Sequence, residues 1–338
     1  RSMAATPLPP LYHRLCDGLM SVARDGHLST LQVETTAYAS QALRYQRAFF
    51  LGDATGVGKT RTAVATLLDL VATNPLTRCL WVSCRPEIEN EAISTLRLLE
   101  GHSHRSHHPS TPLKWRKLDS SLRLDHTAGV AFTTYGCLRY KWSEPDSLLE
   151  TAVAWLAETE SSTSSPHLII LDEAHYAKTP STSTFRSICE LQDRLPFCGV
   201  LYCTATAASD IGRIGYMKRL GLFGDISRGD PFESYLQCRN ALRRGGMTAL
   251  ELVALHLKSR GLYVSRALSP THEVNSHPLT IKLSAEQIEL YDACCARWMD
   301  RHRETHTLDL THGATLGAGT LGILKNLVSQ RQNFFLRL

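Results

Sequence analysis

The sequence contains no Cys-x-x-Cys pair, although ten of its 338 residues are cysteines. These cysteines are scattered through apolar runs such as CLWVSC and LYCTA, which is typical of small buried thiols in a reducing compartment rather than of a disulfide framework. No apolar run approaches the roughly 18 residues that a membrane-spanning helix needs, and the N-terminus lacks the apolar core of a signal peptide. These absences predict a soluble, intracellular protein with no membrane partner.

The sequence also lacks a large excess of charge of either sign. It carries 37 basic and 32 acidic residues, a net charge of +5, and no stripe of alternating basic and aromatic residues. Non-specific attraction to nucleic acid would therefore be modest. The charge pattern permits a nucleic-acid partner without requiring one, and it does not distinguish DNA from RNA.

Five short apolar runs rich in β-branched and aromatic residues recur along the first two thirds of the chain. They lie at 47–52, 78–84, 129–135, 167–174 and 199–206, with helix-length stretches between them. Continuous apolar strands joined by such connections predict an α/β fold with a mostly parallel sheet. Apolar residues at helical spacing after the first run predict that a helix begins at about Lys59.

The character of the sequence changes beyond about residue 225. The stretch 247–261 has the pattern of an amphipathic helix closed by Gly261, and LYVSRAL after it has the pattern of a strand. A second strand-to-helix unit follows, in which Ser284 and Gln287 form a capping box. We therefore expect an N-terminal extension over 1–27, an α/β domain over 28–225, and a smaller, mixed, mainly helical region over 226–338.

The stretch FFLGDATGVGKTRTAV has the form of a phosphate-binding loop between a strand and a helix. Glycines at 56 and 58 let the backbone N–H groups approach phosphates, Lys59 is placed to reach the β- and γ-phosphates, and the Thr60 hydroxyl is placed to bind Mg²⁺. By chance alone the string G-x-G-K-T arises in roughly one per cent of chains of this length. Asp53 replaces the first glycine of the common eight-residue pattern.

Two carboxylates follow the fourth apolar run, in LIILDEAH. Asp172 ends the predicted strand and is expected to hold Mg²⁺ through water, and Glu173 beside it is expected to orient or deprotonate an attacking water. By itself an Asp-Glu pair after an apolar run is commonly a solvated strand end, but its combination with the loop is far more specific. His175 is a candidate link to the stretch CTATA, for which a strand-terminal turn is the alternative interpretation.

The phosphate loop, D-E-A-H and T-A-T, in this order, resemble the motifs of the first RecA-like lobe of superfamily 2 helicases. In many of these helicases the phosphate loop has the sequence D-x-x-G-x-G-K-T. The stretches LQVETTAYASQ, LIILDEAHYAK, TATAASDIGRIGYMKRLGLFG, GGMTALELVALHLKSRGLYVSRALS and SQRQNFFLRL resemble the strawberry notch family more closely, over most of residues 28–338. The resemblance implies ATP and Mg²⁺ as cofactors, a helicase-like ATPase activity linked to nucleic acid or chromatin, and a nuclear location.

The resemblance also implies roles for individual residues. Lys59, Glu173 and His175 are the expected catalytic residues, and Thr60 and Asp172 the expected metal ligands. The nucleotide is expected to contact Gln32, through its adenine, and Thr55, Gly56, Val57, Gly58, Lys59, Thr60 and Arg61. The coupling motif is Thr204, Ala205 and Thr206, and the candidate contacts with a nucleic-acid backbone are Ser83, Arg85, Thr134 and Tyr135.

Three departures from the family pattern bear on activity. Thr60 stands where the family's G-K-G-R loop usually has its second glycine, which favours ordinary Mg²⁺ ligation and ATP binding, and Ala174 replaces the family's usual cysteine. The arginine pattern Q-x-x-G-R-x-x-R, which a second lobe supplies to the γ-phosphate, does not occur in these 338 residues. We therefore expect a fragment or a one-lobed relative that binds ATP and hydrolyses it poorly alone.

Three classes of function remain open at this point. The first is an ATP-dependent nucleic-acid translocase or chromatin regulator. The second is a pseudo-helicase scaffold that binds a partner protein through the region after 225, with nucleotide as a structural ligand. An AAA-type or kinase-like P-loop enzyme is disfavoured, because D-E-A-H and T-A-T occur together in helicases.

Overall fold

The computed structural model describes residues 8–45, 47–103, 113–118, 127–140, 143–157, 167–205, 214–266 and 282–311, the last eleven by backbone only. The chain divides into two compact units, Arg1–Ser269 and Pro270–Leu338. The first unit holds every strand and every site residue that the structure describes.

The first unit is built on a sheet of seven parallel strands. In chain order they are β1 (Ala48–Leu51), β2 (Arg78–Ser83), β3 (Trp115–Lys117), β4 (Gly129–Thr134), β5 (Leu168–Asp172), β6 (Gly199–Cys203) and β7 (Tyr263–Val264). Their order across the sheet is β3-β4-β2-β5-β6-β1-β7, and every neighbouring pair is parallel. The α/β fold with a parallel sheet, predicted from the apolar runs, is confirmed.

Each of the five predicted apolar runs contains one strand, and the strand positions are buried almost throughout. Burial on both sides explains why these runs are continuously apolar instead of alternating. β7 comes from the stretch LYVSRAL and pairs with β1. β3 was not predicted, because its three residues, Trp-Arg-Lys, have no apolar pattern.

Nine α-helices lie in the described part of the chain. They are α1 (Asp17–Arg24), α2 (Thr30–Arg44), α3 (Lys59–Thr73), α4 (Ile88–Ser103), α5 (Tyr135–Arg139), α6 (Leu148–Ala157), α7 (Ser183–Arg194), α8 (Tyr235–Ser259) and α9 (Ala285–Thr311). α3 begins at Lys59, as predicted. α8 starts earlier than the predicted 247–261, with a break at Gly246, where φ is 57° and ψ is −141°.

The helices of the first unit form two groups that cover the sheet. α1 to α4 pack on one another, and α5, α6 and α7 pack on one another. The crossovers through α3 and α4 run toward the β3 edge, whereas those through α6 and α7 run toward β6. Since right-handed crossovers in opposite directions place their helices on opposite faces, both faces of the sheet are covered.

The first unit extends past both ends of the domain expected over 28–225. On the N-terminal side, the amide of Cys16 donates to Asp69 Oδ1 at 2.8 Å, and His13 Nε2 lies 2.7 Å from Asp69 Oδ2. Part of the expected N-terminal extension is therefore fixed on α3. On the C-terminal side, α8 and β7 belong to the same unit, which reaches Ser269, because β7 completes the sheet beside β1.

The second unit contains α9, which opens with the predicted capping box. The Ser284 amide donates to Gln287 Oε1 at 2.9 Å, and the Gln287 amide donates to Ser284 Oγ at 3.3 Å. The strand expected just before this helix falls largely outside the described residues. Across the helices that the structure describes, none combines the length and apolarity needed to cross a membrane.

Candidate nucleotide site

The predicted site residues gather where the parallel strands end. The phosphate loop follows β1, Asp172 is the last residue of β5, and Thr204 follows β6. β6 lies between β1 and β5, and β2 and β4 continue the row beyond β5. Because the carboxyl ends of parallel strands meet at one edge of the sheet, the fold brings the phosphate loop, Asp172 and Thr204 together. Ligands of open α/β sheets bind at this edge.

The phosphate loop turns into α3 through two glycines in the left-handed region. Gly56 has φ of 91° and Gly58, which caps α3, has φ of 92°. Among the described residues no side chain caps α3, although Ser29, Thr134, Thr182 and Ser234 cap other helices. The first N–H groups of a helix have no intrahelical partner, so this end of α3 is suited to bind an anion.

The residues of the loop differ in exposure. Thr55 and Gly56 are exposed, Val57 is buried, and Lys59 and Thr60 are partly buried on the first turn of α3. Lys59 Nζ donates to the carbonyl of Asp53 at 3.1 Å, so the ammonium group lies over the loop. The guanidinium of Arg61 donates to the His27 carbonyl at 3.4 Å, away from the loop.

Gln32 contacts the phosphate loop directly. Its Nε2 donates to the carbonyl of Val57 at 3.0 Å, and its Oε1 accepts from the Ser29 amide at 3.0 Å in the capping box that opens α2. A Cβ at Gly58 would lie 2.4 Å from Gln32 Nε2, so a side chain there would displace the Gln32 amide, and the φ of 92° also favours glycine. The structure thus gives Gln32 a contact with the loop, and its expected contact with adenine remains a prediction.

Asp172 is a buried carboxylate whose charge is poorly compensated. Only 7% of the residue is exposed, and burial raises its pKa to about 6. The hydrogen bond from Ser83 Oγ to Oδ2, at 2.8 Å, and the charge of Lys59 lower this pKa but do not offset the burial. A divalent cation beside Asp172 would favour its ionised form.

Glu173, His175 and Thr204 form a connected polar group beside Asp172. Glu173 has φ of 46°, and it is the one non-glycine residue with positive φ among those described, a strain that is common at functional sites. His175 Nδ1 lies 3.2 Å from Glu173 Oε2 and 3.0 Å from Thr204 Oγ1. Burial lowers the pKa of His175, although the charge of Glu173 raises it. Ala205 follows Thr204, and Thr206 lies outside the described residues.

The four candidate nucleic-acid contacts differ in their surroundings. The Ser83 hydroxyl donates to the carboxylate of Asp172, and the Tyr135 hydroxyl donates to its carbonyl at 2.9 Å. Thr134 caps α5 by accepting from the Cys137 amide at 3.2 Å. Arg85 is exposed just beyond β2. Three of the four thus have partners inside the protein, and Arg85 retains the accessibility that a backbone phosphate requires.

One contact with the loop was missed by reasoning from the sequence. The amide of Arg266, just after β7, donates to Asp53 Oδ1 at 2.8 Å. No short-range sequence pattern predicts a contact between residues that lie 213 positions apart. By contrast, Ser29-x-x-Gln32 has the form of a capping box and would have placed Gln32 at the start of a helix.

The donor set fits Mg²⁺ that arrives with a nucleotide. In the part of the chain that the structure describes, no three His, Cys, Asp or Glu side chains are grouped so as to hold a metal ion. Mg²⁺ is usually bound through one or two protein ligands, with phosphates and waters completing its shell. Asp172 and the Thr60 hydroxyl supply such a minimal set, while α3 and Lys59 supply the phosphate donors.

The comparisons with known proteins agree with this geometry. Residues 1–293 match the family model described as P-loop containing NTP hydrolase pore-1. The chain is 31% identical to protein strawberry notch of Drosophila melanogaster over 86% of its own length and 18% of that protein. It is 35% identical to protein FORGETTER 1 of Arabidopsis thaliana over 73% of its length and 19% of that protein. The resemblance to the strawberry notch family is confirmed, and the chain spans about a fifth of these relatives.

A solved structure shows a more distant likeness. The SWI2/SNF2 ATPase core of Sulfolobus solfataricus, in complex with dsDNA, is 16% identical with a TM-score of 0.49, covering 96% of this chain and 60% of the other. This likeness is too distant to bear on the ligands of the present site.

Proposed function

The chain belongs to the P-loop containing NTP hydrolase pore-1 family, and we propose that it binds Mg²⁺-ATP as a helicase-like domain. The observation that carries this proposal is the position of two features on one edge of the sheet. The uncapped N-terminus of α3 provides donors for phosphate, and the buried Asp172 provides a carboxylate that needs a cation.

Lys59, Thr60 and the backbone of the loop have separate roles in binding. Lys59 would pair with the β- and γ-phosphates, and the N–H groups at 56–60 would donate to phosphate oxygens. The Thr60 hydroxyl and Asp172, the latter through water, would hold Mg²⁺. Bound Mg²⁺-ATP supplies the phosphoanhydride bond and a divalent charge to this edge of the sheet.

Hydrolysis would depend on Glu173. Its carboxylate would accept a proton from the attacking water, and His175, bonded to Glu173 and Thr204, would hold it in place. The arginines that stabilise the transition state in helicases would come from a second lobe. We therefore propose that this chain alone binds ATP well and turns it over slowly.

We further propose that the nucleotide cycle is coupled to nucleic acid at the same edge. Ser83 at the end of β2 and Tyr135 just after β4 both contact Asp172, and Thr134 ends β4. A nucleic-acid strand lying over Arg85 would therefore lie close to the metal site. The type of nucleic acid and a nuclear location stay predictions. A scaffold that binds a protein partner through residues after 225, with nucleotide as a structural ligand, is the alternative outcome.

The first test measures binding. Isothermal titration of the chain with ATP, with and without Mg²⁺, should give Mg²⁺-dependent binding that Lys59→Ala weakens at least about 10-fold, since it removes a charge-assisted contact. Lys117→Ala, which removes an exposed lysine of β3, is the matched control and should bind as the wild type does. Absence of ATP binding by the wild type would refute the nucleotide site and favour the scaffold.

The second test measures turnover in a longer chain that carries a second lobe. Glu173→Gln should keep the affinity for Mg²⁺-ATP and abolish turnover, because the amide cannot accept the proton of water. Retained turnover would remove Glu173 from this role. If turnover needs the added lobe, the arginines are supplied from outside the present chain.

A further inference from the structure

The segment 262–266 extends the sheet past the end of β1 and along the phosphate loop. The amides of Phe50, Gly52 and Ala54 donate to the carbonyls of Leu262, Val264 and Arg266, each at 2.8 Å. Parallel hydrogen bonding therefore continues beyond Leu51, the last residue of β1, through Gly52 and Ala54 into the loop itself. A Cβ at Gly52 would lie 2.7 Å from the Tyr263 ring, which shows how closely the two segments approach.

Asp53 fixes the beginning of the loop to this segment. Its residue is 2% exposed, and Oδ1 accepts from the Arg266 amide at 2.8 Å. Burial raises the pKa of Asp53, while the charges of Arg266 and Lys59 lower it. A carboxylate is costly to bury, so its presence where the common loop has glycine calls for a function that glycine cannot perform.

The Arg266 side chain extends the same connection to α2. Its Nη1 donates to the Leu31 carbonyl at 2.6 Å and to Thr35 Oγ1 at 2.9 Å, and its Nη2 pairs with Glu34. The adjacent Gln32 holds the other end of the loop through the Val57 carbonyl. The first turns of α2 thus anchor both ends of the loop, one through Gln32 and the other through Arg266.

We propose that Asp53 and Arg266, here called the Asp53–Arg266 clamp, are positioning residues that hold the phosphate loop in its binding shape and link its occupancy to 262–266. The proposal rests on the proposed function, because it requires that the loop bind a nucleoside triphosphate. A loop fixed at both ends loses little conformational entropy when it binds, so the clamp increases affinity without contacting the ligand. It also makes the segment after α8 sensitive to the nucleotide.

Substitutions separate the clamp from general stability. Asp53→Ala removes the acceptor of the Arg266 amide, whereas Arg266→Ala keeps that amide and removes the side-chain contacts with α2. Each should weaken Mg²⁺-ATP binding about 10-fold or more in calorimetry, because each loses hydrogen bonds that involve a charged group. Asp53→Asn keeps an oxygen acceptor for the Arg266 amide and should restore affinity to within about 3-fold of the wild type. Arg97→Ala, an exposed arginine of α4, is the matched control and should change nothing.

Hydrogen exchange in the wild type tests the link even if a variant does not fold. Saturating Mg²⁺-ATP should slow exchange of the Arg266 amide about 10-fold, while the Leu118 amide, bonded to the Phe132 carbonyl at the far edge of the sheet, should not change. Equal exchange at Arg266 with and without ATP, or equal slowing at both amides, would overturn the clamp. Folded alanine variants that bind as the wild type does would also overturn it. A wild type that binds no ATP would instead refute the proposed function.

Discussion

The hydroxyl of Ser83 donates to Asp172 Oδ2 at 2.8 Å and joins the end of β2 to the end of β5. The sequence led us to expect Ser83 at a nucleic-acid backbone and Asp172 at a metal ion. The hydrogen bond places both residues in one polar cluster, so a substitution of either residue should change the properties of the other.

Ser83→Ala should weaken the Mg²⁺-dependent part of ATP binding. The hydrogen bond from Ser83 lowers the pKa of Asp172, which burial holds at about 6, so its loss would raise that pKa further and leave less ionised carboxylate for Mg²⁺. The expected loss is about 10-fold at pH 6.5 and smaller at pH 8, measured by calorimetry with and without Mg²⁺. Ser187→Ala, in which a buried serine of α7 is changed, is the control. Loss of oligonucleotide binding with unchanged Mg²⁺-ATP binding would instead assign Ser83 to nucleic acid.

Asp172→Asn should stabilise the metal-free and nucleotide-free protein at neutral pH. The pKa of Asp172 is raised from 3.8 to about 6 on folding, so the folded state binds more protons than the unfolded state in that range. Its contribution to stability is present below pH 4 and lost as the pH rises through 6. Urea denaturation should show the variant more stable by about 1–3 kcal/mol at pH 7.5, with the difference shrinking toward pH 4.

The exposed Asp25→Asn serves as the control for this series and should follow the wild type at every pH. If the free energy of unfolding of Asp172→Asn changed with pH as that of the wild type does, Asp172 would not be buried as described.

Thr204→Val should reduce turnover more than binding. The hydroxyl lies 3.0 Å from His175 Nδ1, and His175 in turn contacts Glu173, so valine keeps the shape of Thr204 but removes the contact that positions the ring. In a chain with a second lobe we expect turnover to fall about 10-fold with the affinity for ATP nearly unchanged. Thr204→Ser should recover the rate. If Thr204→Val turned over ATP as fast as the wild type, the alternative interpretation of CTATA as a strand-terminal turn would be supported.

Asp69→Asn should destabilise the fold through the N-terminal segment. Burial of Asp69 would raise its pKa, but hydrogen bonds from His13, the Cys16 amide and Arg44 outweigh it and lower that pKa. This stabilisation is present above pH 4 and lost as the pH falls further, and its removal should cost about 2–4 kcal/mol in urea denaturation at pH 7. Asp17→Asn, which breaks an exposed pair with Arg14, should have no measurable effect. If Asp69→Asn and Asp17→Asn changed the free energy of unfolding equally, the residues before α1 would not belong to the folded unit.

The elements that the sequence predicted well are those with strong local patterns. Five apolar runs gave five strands, and the glycines before Lys59 marked the start of α3. The boundaries of the domain were harder to predict from the sequence. The segment 8–27 carries little pattern of its own, and the pattern of β7 predicts a strand but not its place in the sheet. Both belong to the first unit because Asp69 and β1 provide their partners.

The sequence by itself determined every described strand except β3, the phosphate loop and the pair Asp172–Glu173, because each depends on residues within about one helical turn or one strand. Tertiary structure alone decided that β6 lies between β1 and β5, that Ser83 and Tyr135 contact Asp172, and that Arg266 contacts Asp53. These contacts join residues 37 to 213 positions apart. Their formation depends on strand order and on hydrogen bonds that buried polar groups must find, which no local pattern encodes.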